Sequence, residues 1–411
     1  MTPKPCEPTT AGTVGEQTSH VQPLRVAIVD TAIAFGGTLS VSRNILKNLD
    51  PLIVDASLIS ACADGYVSQG FAGNRDIALV APRVSYARLA QWKARVGRLS
   101  RWYPVRRSLE ILIMASELLA NIPYLIRLIF LFKRKRTDLV HLNNYAMEPL
   151  CAARLLRIPV VYHLHGLVPL TLERSARRSF KHVKAFISIS RAVTESAMHA
   201  GFDPRIIYEI PNFTELEPDP YPPAMPSKPA IGIFGRVTNW KGQKEFLHSI
   251  LRVFPRFPNL IVYIVGDASD SDPQYFEECR SIATSSPWAT QIIFPGRVTD
   301  VTNYYRQCTL VVHASIEPEP FGMVIIEAMA QARPVVASIF GAAGEILQDG
   351  TEGFLVDPND TAAMASRMCT LLANPYLAAD MGIRGYTKVR NLYCPTSAIN
   401  KFTQLYFRIA R

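Results

Sequence analysis

Two carboxylate residues lie eight positions apart in the segment Glu319-Pro-Phe-Gly-Met-Val-Ile-Ile-Glu327. Between them, the Phe321-Gly322 step precedes an apolar run that predicts the start of a helix. Glycine permits close approach of the backbone to a ligand, and the first N–H groups of a helix favour negative charge. With Glu319 in the loop and Glu327 one turn into the helix, this segment is suited to hold a sugar hydroxyl, a phosphate and a ribose. The simpler alternative is a surface loop with a capping Glu and a solvated helical Glu.

Two basic residues follow another predicted strand. A strand over residues 230–235 ends beside Arg236, and Lys241 comes five positions later at a predicted helix start. Arginine provides a forked pair of donors and lysine a mobile point charge. Together they can bind a diphosphate and stabilise the negative charge that develops as it leaves. For these two residues alone, simple solvation at the surface is the alternative.

Short apolar runs alternate with helical stretches along most of the chain. Strands are predicted at residues 24–30, 51–60, 77–80, 139–142, 160–163, 185–189, 206–210, 230–235, 261–266, 291–294, 309–313 and 335–338. In the second half, helices are predicted at 241–253, 275–285, 322–332 and 360–373, and the tail from 375 to 411 is mostly helical. This alternation implies parallel sheets with helices on both faces. We therefore expect an α/β chain of two doubly wound, Rossmann-like domains facing a cleft, with ligands bound beyond the carboxyl ends of the strands.

Composition divides the chain into segments. Residues 1–22 are polar and rich in Thr and Pro, without the apolar core of a signal peptide, and are expected to be a disordered lead-in. One Rossmann-like domain is predicted at 23–216 and another at 230–390, separated by a proline-rich linker at 217–229. A helix at 391–411 is expected to return to the N-terminal domain.

The charge of the chain is uneven. Residues 1–215 contain 27 Lys and Arg against 16 Asp and Glu, whereas the remainder is nearly balanced. The basic excess is densest from residue 83 to 136, and such a surface attracts phosphate groups or anionic lipid. No nucleic-acid-binding module is recognisable, so no nucleic acid partner is expected. The seven cysteines form neither a CxxC motif nor a Cys/His cluster, which favours a reducing, cytosolic environment without disulfides or zinc.

The apolar segment 109–132 has basic residues on both sides. Glu110, Glu117 and Arg127 interrupt it, and charges at the middle of a bilayer are costly, so a membrane-spanning helix is disfavoured. Two interpretations remain open. The segment is either a long core helix or a helix lying in the headgroup layer of an anionic membrane.

Taken in order, these features resemble the retaining, nucleotide-sugar-dependent glycosyltransferases of family 4, which have the two-domain GT-B fold. The family's E-x7-E motif matches Glu319 and Glu327, and its phosphate-binding pair matches Arg236 and Lys241. A second glutamate, Glu317, lies close by, but only Glu319 keeps the eight-residue offset. The resemblance runs from about residue 24 to the C-terminus and is most specific in 230–360.

Three further matches lie in the first half of the chain. The family's glycine-rich loop matches Gly36-Gly37, its His-Gly step matches His165-Gly166, and its Ile-Pro-Asn turn matches residues 210–212. The resemblance implies that this first domain binds the acceptor and that the second binds the nucleotide sugar.

The resemblance also implies roles for the acidic motif. Glu319 would orient the donor sugar through a hydroxyl, helped by backbone N–H groups near Phe321 and Gly322. Glu327 would hold the ribose hydroxyls.

Roles for the remaining matched residues follow from the same resemblance. Arg236 and Lys241 would neutralise the diphosphate leaving group in place of a metal ion. His165 would lie near the transferred sugar and the acceptor, and the loop at Gly36 and Gly37 would approach the phosphates or the acceptor.

The function implied is that of a metal-independent, retaining hexosyltransferase. It would move a hexose from a nucleoside diphosphate sugar, which is a substrate and not a cofactor, to a lipid-linked or polysaccharide-precursor acceptor. The expected location is cytoplasmic, peripheral on the anionic inner face of the cell membrane. The alternative is a non-catalytic nucleotide-sugar sensor or scaffold, and the presence of Glu319 and His165 favours catalysis.

Three other patterns are interpreted without a catalytic role. Asp270-Ser-Asp272 has the shape of a metal-binding DxD motif, but its place before Pro273 is explained more simply by helix capping. Residues 30–38 lack the Gly-x-Gly-x-x-Gly pattern of a nicotinamide-dependent enzyme. His163 shares a strand face with His165 and is interpreted as a satisfied strand residue.

Overall fold

A computed structural model describes residues 22–32, 37–62, 77–82, 119–169, 180–216, 224–268, 272–298 and 300–411, with isolated positions between 92 and 116. Residues 1–21 of the predicted lead-in lie outside this description. The described residues fall into two compact units. The first domain comprises residues up to 189 together with 193–210 and 399–411, and the second comprises 190–192 and 211–398.

The first domain contains a parallel sheet of seven described strands. They are β1 (Leu24–Asp30), β2 (Val54–Ser60), β3 (Ile77–Leu79), β4 (Leu139–Leu142), β5 (Val160–Leu164), β6 (Val183–Ser188) and β7 (Ile207–Glu209). Their order in the sheet is β3-β2-β1-β4-β5-β6-β7. Helices cover both faces of such a sheet, so β4 and β5 are buried along their whole length and their sequences are continuously apolar apart from histidine.

Four described helices follow strands of this sheet. They are α1 (Gly37–Asn48), α2 (Ile122–Arg134), α3 (Met147–Leu155) and α4 (Arg191–His199). In α1, the buried residues recur at helical spacing, which directs one apolar face towards the core.

The second domain contains a parallel sheet of six described strands. They are β8 (Ala230–Phe234), β9 (Ile261–Val265), β10 (Ile292–Gly296), β11 (Leu310–His313), β12 (Val335–Ser338) and β13 (Gly353–Val356), in the order β10-β9-β8-β11-β12-β13. The two central strands, β8 and β11, are adjacent although about 75 residues separate them in the chain. Both sheets are parallel, and the predicted fold class of two Rossmann-like α/β domains is confirmed.

Seven described α-helices belong to the second domain. They are α5 (Gln243–Val253), α6 (Pro273–Thr284), α7 (Val301–Gln307), α8 (Met323–Ala330), α9 (Ala343–Ile346), α10 (Thr361–Ala373) and α11 (Pro375–Leu392). A last helix, α12 (Pro395–Ala410), has its residues from 399 onward in the first domain. The helix predicted at 241–253 begins later than expected, because Asn239–Lys241 form a 3-10 turn and Gly242 has a left-handed backbone.

Helix α2 has two different apolar faces. Tyr124, Leu128 and Phe132 are buried against the first domain, whereas Ile126 and Phe130 are 59% and 62% exposed. One face of this helix is thus packed in the core, whereas contact of the segment 109–132 with a membrane stays a prediction, and most of residues 110–118 lie outside the described residues. None of the helices within the described ranges is long and apolar enough to cross a bilayer.

Candidate active site

The central strands of the second domain bring distant segments of the chain together. Strand β8 leads into residues 235–241, and its neighbour β11 leads into residues 314–322. Both strands are parallel, so their carboxyl ends meet at one edge of the sheet. Lys241 and Glu319, which are 78 residues apart, lie side by side there.

Three donors converge on the Glu319 carboxylate. Lys241 Nζ donates to Oε1 at 2.7 Å, and the Lys241 and Glu319 side chains are only 14% and 13% exposed. His313 Nε2 lies 2.5 Å from Oε2, and Ser315 Oγ donates to the same oxygen at 2.8 Å. The family resemblance implies a phosphate partner for Lys241 and a sugar partner for Glu319, yet the two side chains pair with each other here.

This environment keeps Glu319 ionised. Burial alone would raise the pKa of its carboxyl group, but His313 and Lys241 oppose this through charge and hydrogen bonds and hold the pKa well below its usual range. The Lys241 ammonium also lies 4.2 Å from the centroid of the Trp240 ring. The pair is thus a fixed negative and positive charge in a largely desolvated place.

Gly341 fixes the backbone of Glu319 from the neighbouring loop. Its φ of +78° is in the left-handed region, and a Cβ at this position would lie 2.3 Å from both the N and O atoms of Glu319. The next residue, Ala342, donates its N–H to the Glu319 carbonyl at 2.9 Å. A side chain at residue 341 would therefore displace the carboxylate.

The Phe321-Gly322 step forms the start of α8. Gly322 is the N-cap with φ +114°, so the helix begins at Met323, one residue later than predicted. The Phe321 ring is buried and packs edge-on against Tyr393, with centroids 6.0 Å apart. Phe321 is therefore available to a ligand through its backbone and not through its ring.

Glu327 lies one turn into α8, as predicted, and is bonded to a buried tyrosine. Tyr305 Oη donates to Glu327 Oε2 at 2.9 Å, while the Tyr305 ring stacks on Phe234 with centroids 3.9 Å apart. Burial raises the pKa of Glu327 to about 7, against the opposing effects of the Tyr305 hydrogen bond and the Lys241 charge. Its assignment to the ribose hydroxyls stays a prediction.

Glu327→Gln should stabilise the protein at alkaline pH. Because the folded-state pKa of about 7 lies above the ordinary 4.5, the stability that comes from the neutral acid is complete below pH 4.5 and is lost as the pH rises through 7. Glutamine mimics the neutral acid, so we expect the free energy of unfolding to exceed that of the wild type by about 1–3 kcal/mol at pH 8 and by little at pH 5. Urea unfolding at both pH values measures this. The exposed Glu277→Gln in α6 is the control, and an equal effect of both substitutions would contradict the prediction.

Arg236 is exposed, unlike Lys241. Its carbonyl oxygen accepts a hydrogen bond from Gln243 Nε2 at 3.0 Å, which fixes the backbone after β8. Its guanidinium group has no hydrogen bond or ion pair with any residue that the structure describes. The structure therefore brings Lys241 and Glu319 together and leaves the Arg236 side chain in solvent.

His313 and Ser315 contact the acidic motif although no sequence motif singles them out. Both lie where β11 ends, and both donate to Glu319. The signal was a histidine closing an otherwise apolar strand six residues before the acidic motif. Polar residues at that end of a central strand of a parallel sheet face the ligand side.

The first domain holds a separate polar cluster around His165. His165 follows β5, and its Nε2 lies 2.6 Å from Asn143 Oδ1. Asn143 follows β4 and donates through Nδ2 to the Thr38 carbonyl at 2.8 Å. Gly37 begins α1 beside Thr38, whereas Gly36 lies outside the described residues.

The interpretation of His163 as satisfied was wrong. Its Nδ1 lies 3.2 Å from His141 Nε2, but its Nε2 is buried and has no hydrogen-bond partner among the residues that the structure describes. The reason is that its ring lies against other rings, with centroids 4.1 Å from His165 and 5.7 Å from Phe402.

The capping role expected for Asp272 is only partly correct. Asp272 is the N-cap residue of α6, but its side chain makes no bond to that helix and instead accepts from the Asn239 N–H at 3.3 Å. The 3-10 turn at Asn239 brings this donor close enough to compete. Asp270 lies outside the described residues, which contain no group of three or more side chains suited to bind a metal ion.

The architecture is that of the GT-B class of glycosyltransferases. The crystal structure of Anabaena Alr3699/HepE in complex with UDP and glucose is similar to 94% of this chain and 100% of that chain, with a TM-score of 0.74 at 21% identity. Residues 73–218 match the family described as Glycosyltransferase Family 4, and residues 228–374 match Glycosyl transferases group 1. The resemblance to the family 4 glycosyltransferases that the motifs predicted is therefore confirmed.

Two relatives illustrate the sequence similarity. The lipopolysaccharide core biosynthesis mannosyltransferase LpcC of Rhizobium leguminosarum bv. viciae is 29% identical over 166 residues, which are 40% of this chain and 47% of that protein. The phosphatidyl-myo-inositol mannosyltransferase of Mycobacterium leprae (strain TN) is 29% identical over 268 residues, which are 62% of this chain and 69% of that protein. The match thus spans less than half the length of the first of these relatives.

Proposed function

We propose that the chain transfers a hexose from a nucleoside diphosphate sugar to a lipid-linked or polysaccharide-precursor acceptor, with retention of configuration and without a metal ion. The observation that carries this proposal is the desolvated ion pair of Lys241 and Glu319 at the carboxyl ends of β8 and β11. Glu319 lies four residues before the start of α8, the helix that contains Glu327.

The Glu319 carboxylate has capacity left for a sugar. An ionised carboxylate offers about four acceptor positions, and Lys241, His313 and Ser315 occupy three of them. A sugar hydroxyl can donate to the remaining position. Because its partners fix the carboxylate beforehand, little reorganisation is required when the sugar binds.

Lys241 is suited to stabilise a leaving diphosphate. Its ammonium has three donors, and one of them bonds Glu319, so the others remain for phosphate oxygens. In a site shielded from water, a charge of this kind stabilises an opposite charge far more than it does in bulk solvent. Exposed Arg236 adds a second cation after the same strand.

Glu327 is suited to a ribose diol. Oε2 is bonded to Tyr305, whereas Oε1 has no hydrogen-bond partner among the described residues. The carboxyl group is thus held on one side and available on the other.

The relatives support the classes of donor and acceptor. HepE was crystallised with UDP and glucose, and the two curated relatives are named as mannosyltransferases of the lipopolysaccharide core and of phosphatidyl-myo-inositol. The first name supports a sugar nucleotide as donor, and the other two support a lipid-borne acceptor.

Nucleotide release tests the proposal. The purified chain is incubated with UDP-, GDP- and ADP-hexoses and a bacterial lipid extract as the acceptor source, with and without EDTA. We expect one donor to yield free nucleoside diphosphate equally well in EDTA, and the anomeric signal of the product in proton NMR to match that of the donor. Tight binding without release would instead support the non-catalytic sensor, and inhibition by EDTA would contradict metal independence.

We also propose that the exposed face of α2 contacts an anionic membrane. Ile122, Ile126 and Phe130 recur at i, i+4 and i+8 and are all exposed, and the helix ends in the basic run from Lys133 to Arg136. Apolar side chains on one face beside lysine and arginine are typical of helices that lie in the headgroup layer.

Replacing Ile126 and Phe130 together by serine should reduce vesicle binding at least tenfold, because two large apolar side chains would no longer enter the bilayer. Flotation with vesicles of phosphatidylserine and phosphatidylcholine measures this, and binding should weaken at high salt. The control is Leu155→Ser, which removes a 67% exposed leucine from α3 in the same domain. Equal binding by both variants would refute the membrane contact.

A further inference from the structure

A polar cavity lies at the amino ends of β1 and β2 in the first domain. Its volume is about 210 Å³, and its polar lining consists of Arg25, Asp55, Ser57, Arg134, Lys135 and Thr137. Sites for drug-sized ligands have about 300–1,000 Å³, so this cavity suits a smaller group. The cluster around His165 follows the carboxyl end of β5, and the cavity at the amino ends is therefore a separate feature.

The strand register places three of the lining side chains on one face of the sheet. Arg25 of β1 lies opposite Asp55 of β2, and Ala27 lies opposite Ser57. Because side chains alternate along a strand, Asp55 and Ser57 share a face with Arg25. The lining is completed by residues at the end of α2 and just after it, Arg134, Lys135 and Thr137.

Two hydroxyl groups of the cavity are buried and unpaired. Ser57 is 9% exposed and Thr137 is 8% exposed, and both line the cavity. Neither hydroxyl forms a hydrogen bond with any residue that the structure describes. A buried hydroxyl is costly unless a ligand or water completes its hydrogen bonds, and each of these can donate to an oxygen atom inside the cavity.

The charges around these hydroxyl groups favour an anion. Arg25 is neutralised by Asp138, to which its Nε and Nη2 each donate at 2.9 Å. This leaves the cations of Arg134 and Lys135 against the carboxylate of Asp55. The Arg134 guanidinium bonds to no side chain within the described ranges. Hydroxyl, guanidinium and ammonium donors around one small space match the oxygen atoms of a phosphate group.

The surroundings of the cavity indicate the source of the phosphate. Arg134 follows Phe130 by one turn, and Phe130 and Ile126 are the exposed apolar residues of α2. In the turn before β2, Leu52 and Ile53 are 81% and 46% exposed. Apolar side chains on two elements beside a basic cavity fit a membrane surface, where lipid phosphates lie next to the hydrocarbon layer.

We propose that this cavity binds the terminal phosphate of an anionic lipid. The inference rests on the proposed membrane contact of α2, because the lipid is taken to lie in the bilayer that this helix touches. A terminal phosphate has three free oxygens, which can accept from Ser57, Thr137 and Arg134 together. A phosphate that links two groups has fewer free oxygens and does not protrude, so it reaches the buried hydroxyls less well.

Flotation with vesicles of equal surface charge tests this preference. Phosphatidylcholine vesicles carry either phosphatidic acid or phosphatidylserine, in proportions that give the same zeta potential. We expect the wild type to bind the phosphatidic acid vesicles at least about tenfold more tightly, because one hydrogen bond to a charged group contributes about that much. Equal binding to both vesicles would overturn the proposal.

Removal of both hydroxyl groups tests the cavity itself. The double variant Ser57→Ala, Thr137→Val keeps the net charge and nearly the same side-chain volumes. We expect it to lose the preference for phosphatidic acid, while its binding to phosphatidylserine vesicles stays within about twofold of the wild type. A double variant that keeps the preference would overturn the proposal.

A pair of single substitutions separates the cavity from diffuse charge. Arg134→Gln and Arg127→Gln each remove one exposed cation from α2, but only Arg134 lines the cavity. Arg134→Gln should lower the preference for phosphatidic acid at least about fivefold, whereas Arg127→Gln should weaken binding to both vesicles alike. Equal effects of the two substitutions would show that only the surface charge matters.

A soluble lipid distinguishes the cavity from the membrane contact. Isothermal titration with dihexanoyl phosphatidic acid below its micelle concentration should show binding to the wild type and none to the double variant. Inorganic phosphate should bind at least about tenfold more weakly, because it has no chains to contact Leu52 and Ile53. Equally tight inorganic phosphate would indicate a site for free phosphate and overturn the assignment to a lipid. Should no vesicle of any composition bind, the membrane contact of α2 fails, while the titration still decides whether the cavity takes a lipid phosphate.

Discussion

Lys241→Met is expected to lower kcat by about 10²-fold or more with little change in folding. The methionine stem can still lie on the Trp240 ring, but the ammonium that would face the leaving diphosphate is gone. Preorganised donors in such sites contribute about 10²–10³-fold to turnover, because they require no reorganisation as charge develops. Glu319 would retain His313 and Ser315 as partners, so the loop should keep its position.

Release of nucleoside diphosphate measures this effect under saturating donor. Lys244→Met is the matched control, because Lys244 lies three residues later and its ammonium pairs with Glu278 in α6 at 2.8 Å, away from Glu319. The control should keep kcat within about twofold of the wild type. Unchanged turnover in Lys241→Met would contradict the proposed role of Lys241 in stabilising the leaving diphosphate.

Glu319→Ala is expected to reduce both stability and activity. Three donors in a desolvated place would lose their acceptor, and breaking a buried ion pair by removal of one partner costs about 3–5 kcal/mol. We therefore expect the free energy of unfolding to fall by about 3 kcal/mol, with turnover reduced at least as much as in Lys241→Met. Urea unfolding and nucleotide release measure the two effects.

The neighbouring Glu317 provides the control for Glu319. Glu317 is exposed and lies two residues earlier, so Glu317→Ala should change stability by less than about 0.5 kcal/mol and leave turnover intact. The double substitution of Lys241 and Glu319 should be less harmful than the sum of the single effects, because both remove the same interaction. Strict additivity would show that the pair does not act as a unit.

Local sequence patterns were sufficient for the fold and for the acidic motif. Strands buried on both faces are continuous apolar runs, so β8, β11 and β12 could be located to within a residue or two. The short β13 was missed, because four residues that begin with glycine carry little periodic signal. The spacing of Glu319 and Glu327 identified the loop and the first turn of α8, because this motif also lies within a few consecutive residues.

The partners of these residues were decided by the tertiary structure. Sequence spacing could not show that Lys241 bonds Glu319, since this depends on β8 and β11 being neighbours in the sheet. Nor could it show that Asn143 donates to Asp30, 113 residues away, because the order of β1, β4 and β5 brings their ends together. Composition and periodicity act over a few residues and determine which elements form. Hydrogen bonds between residues at strand ends depend on which strands are neighbours in the sheet. The long-range pairing of the strands therefore determines where the side chains of the site lie.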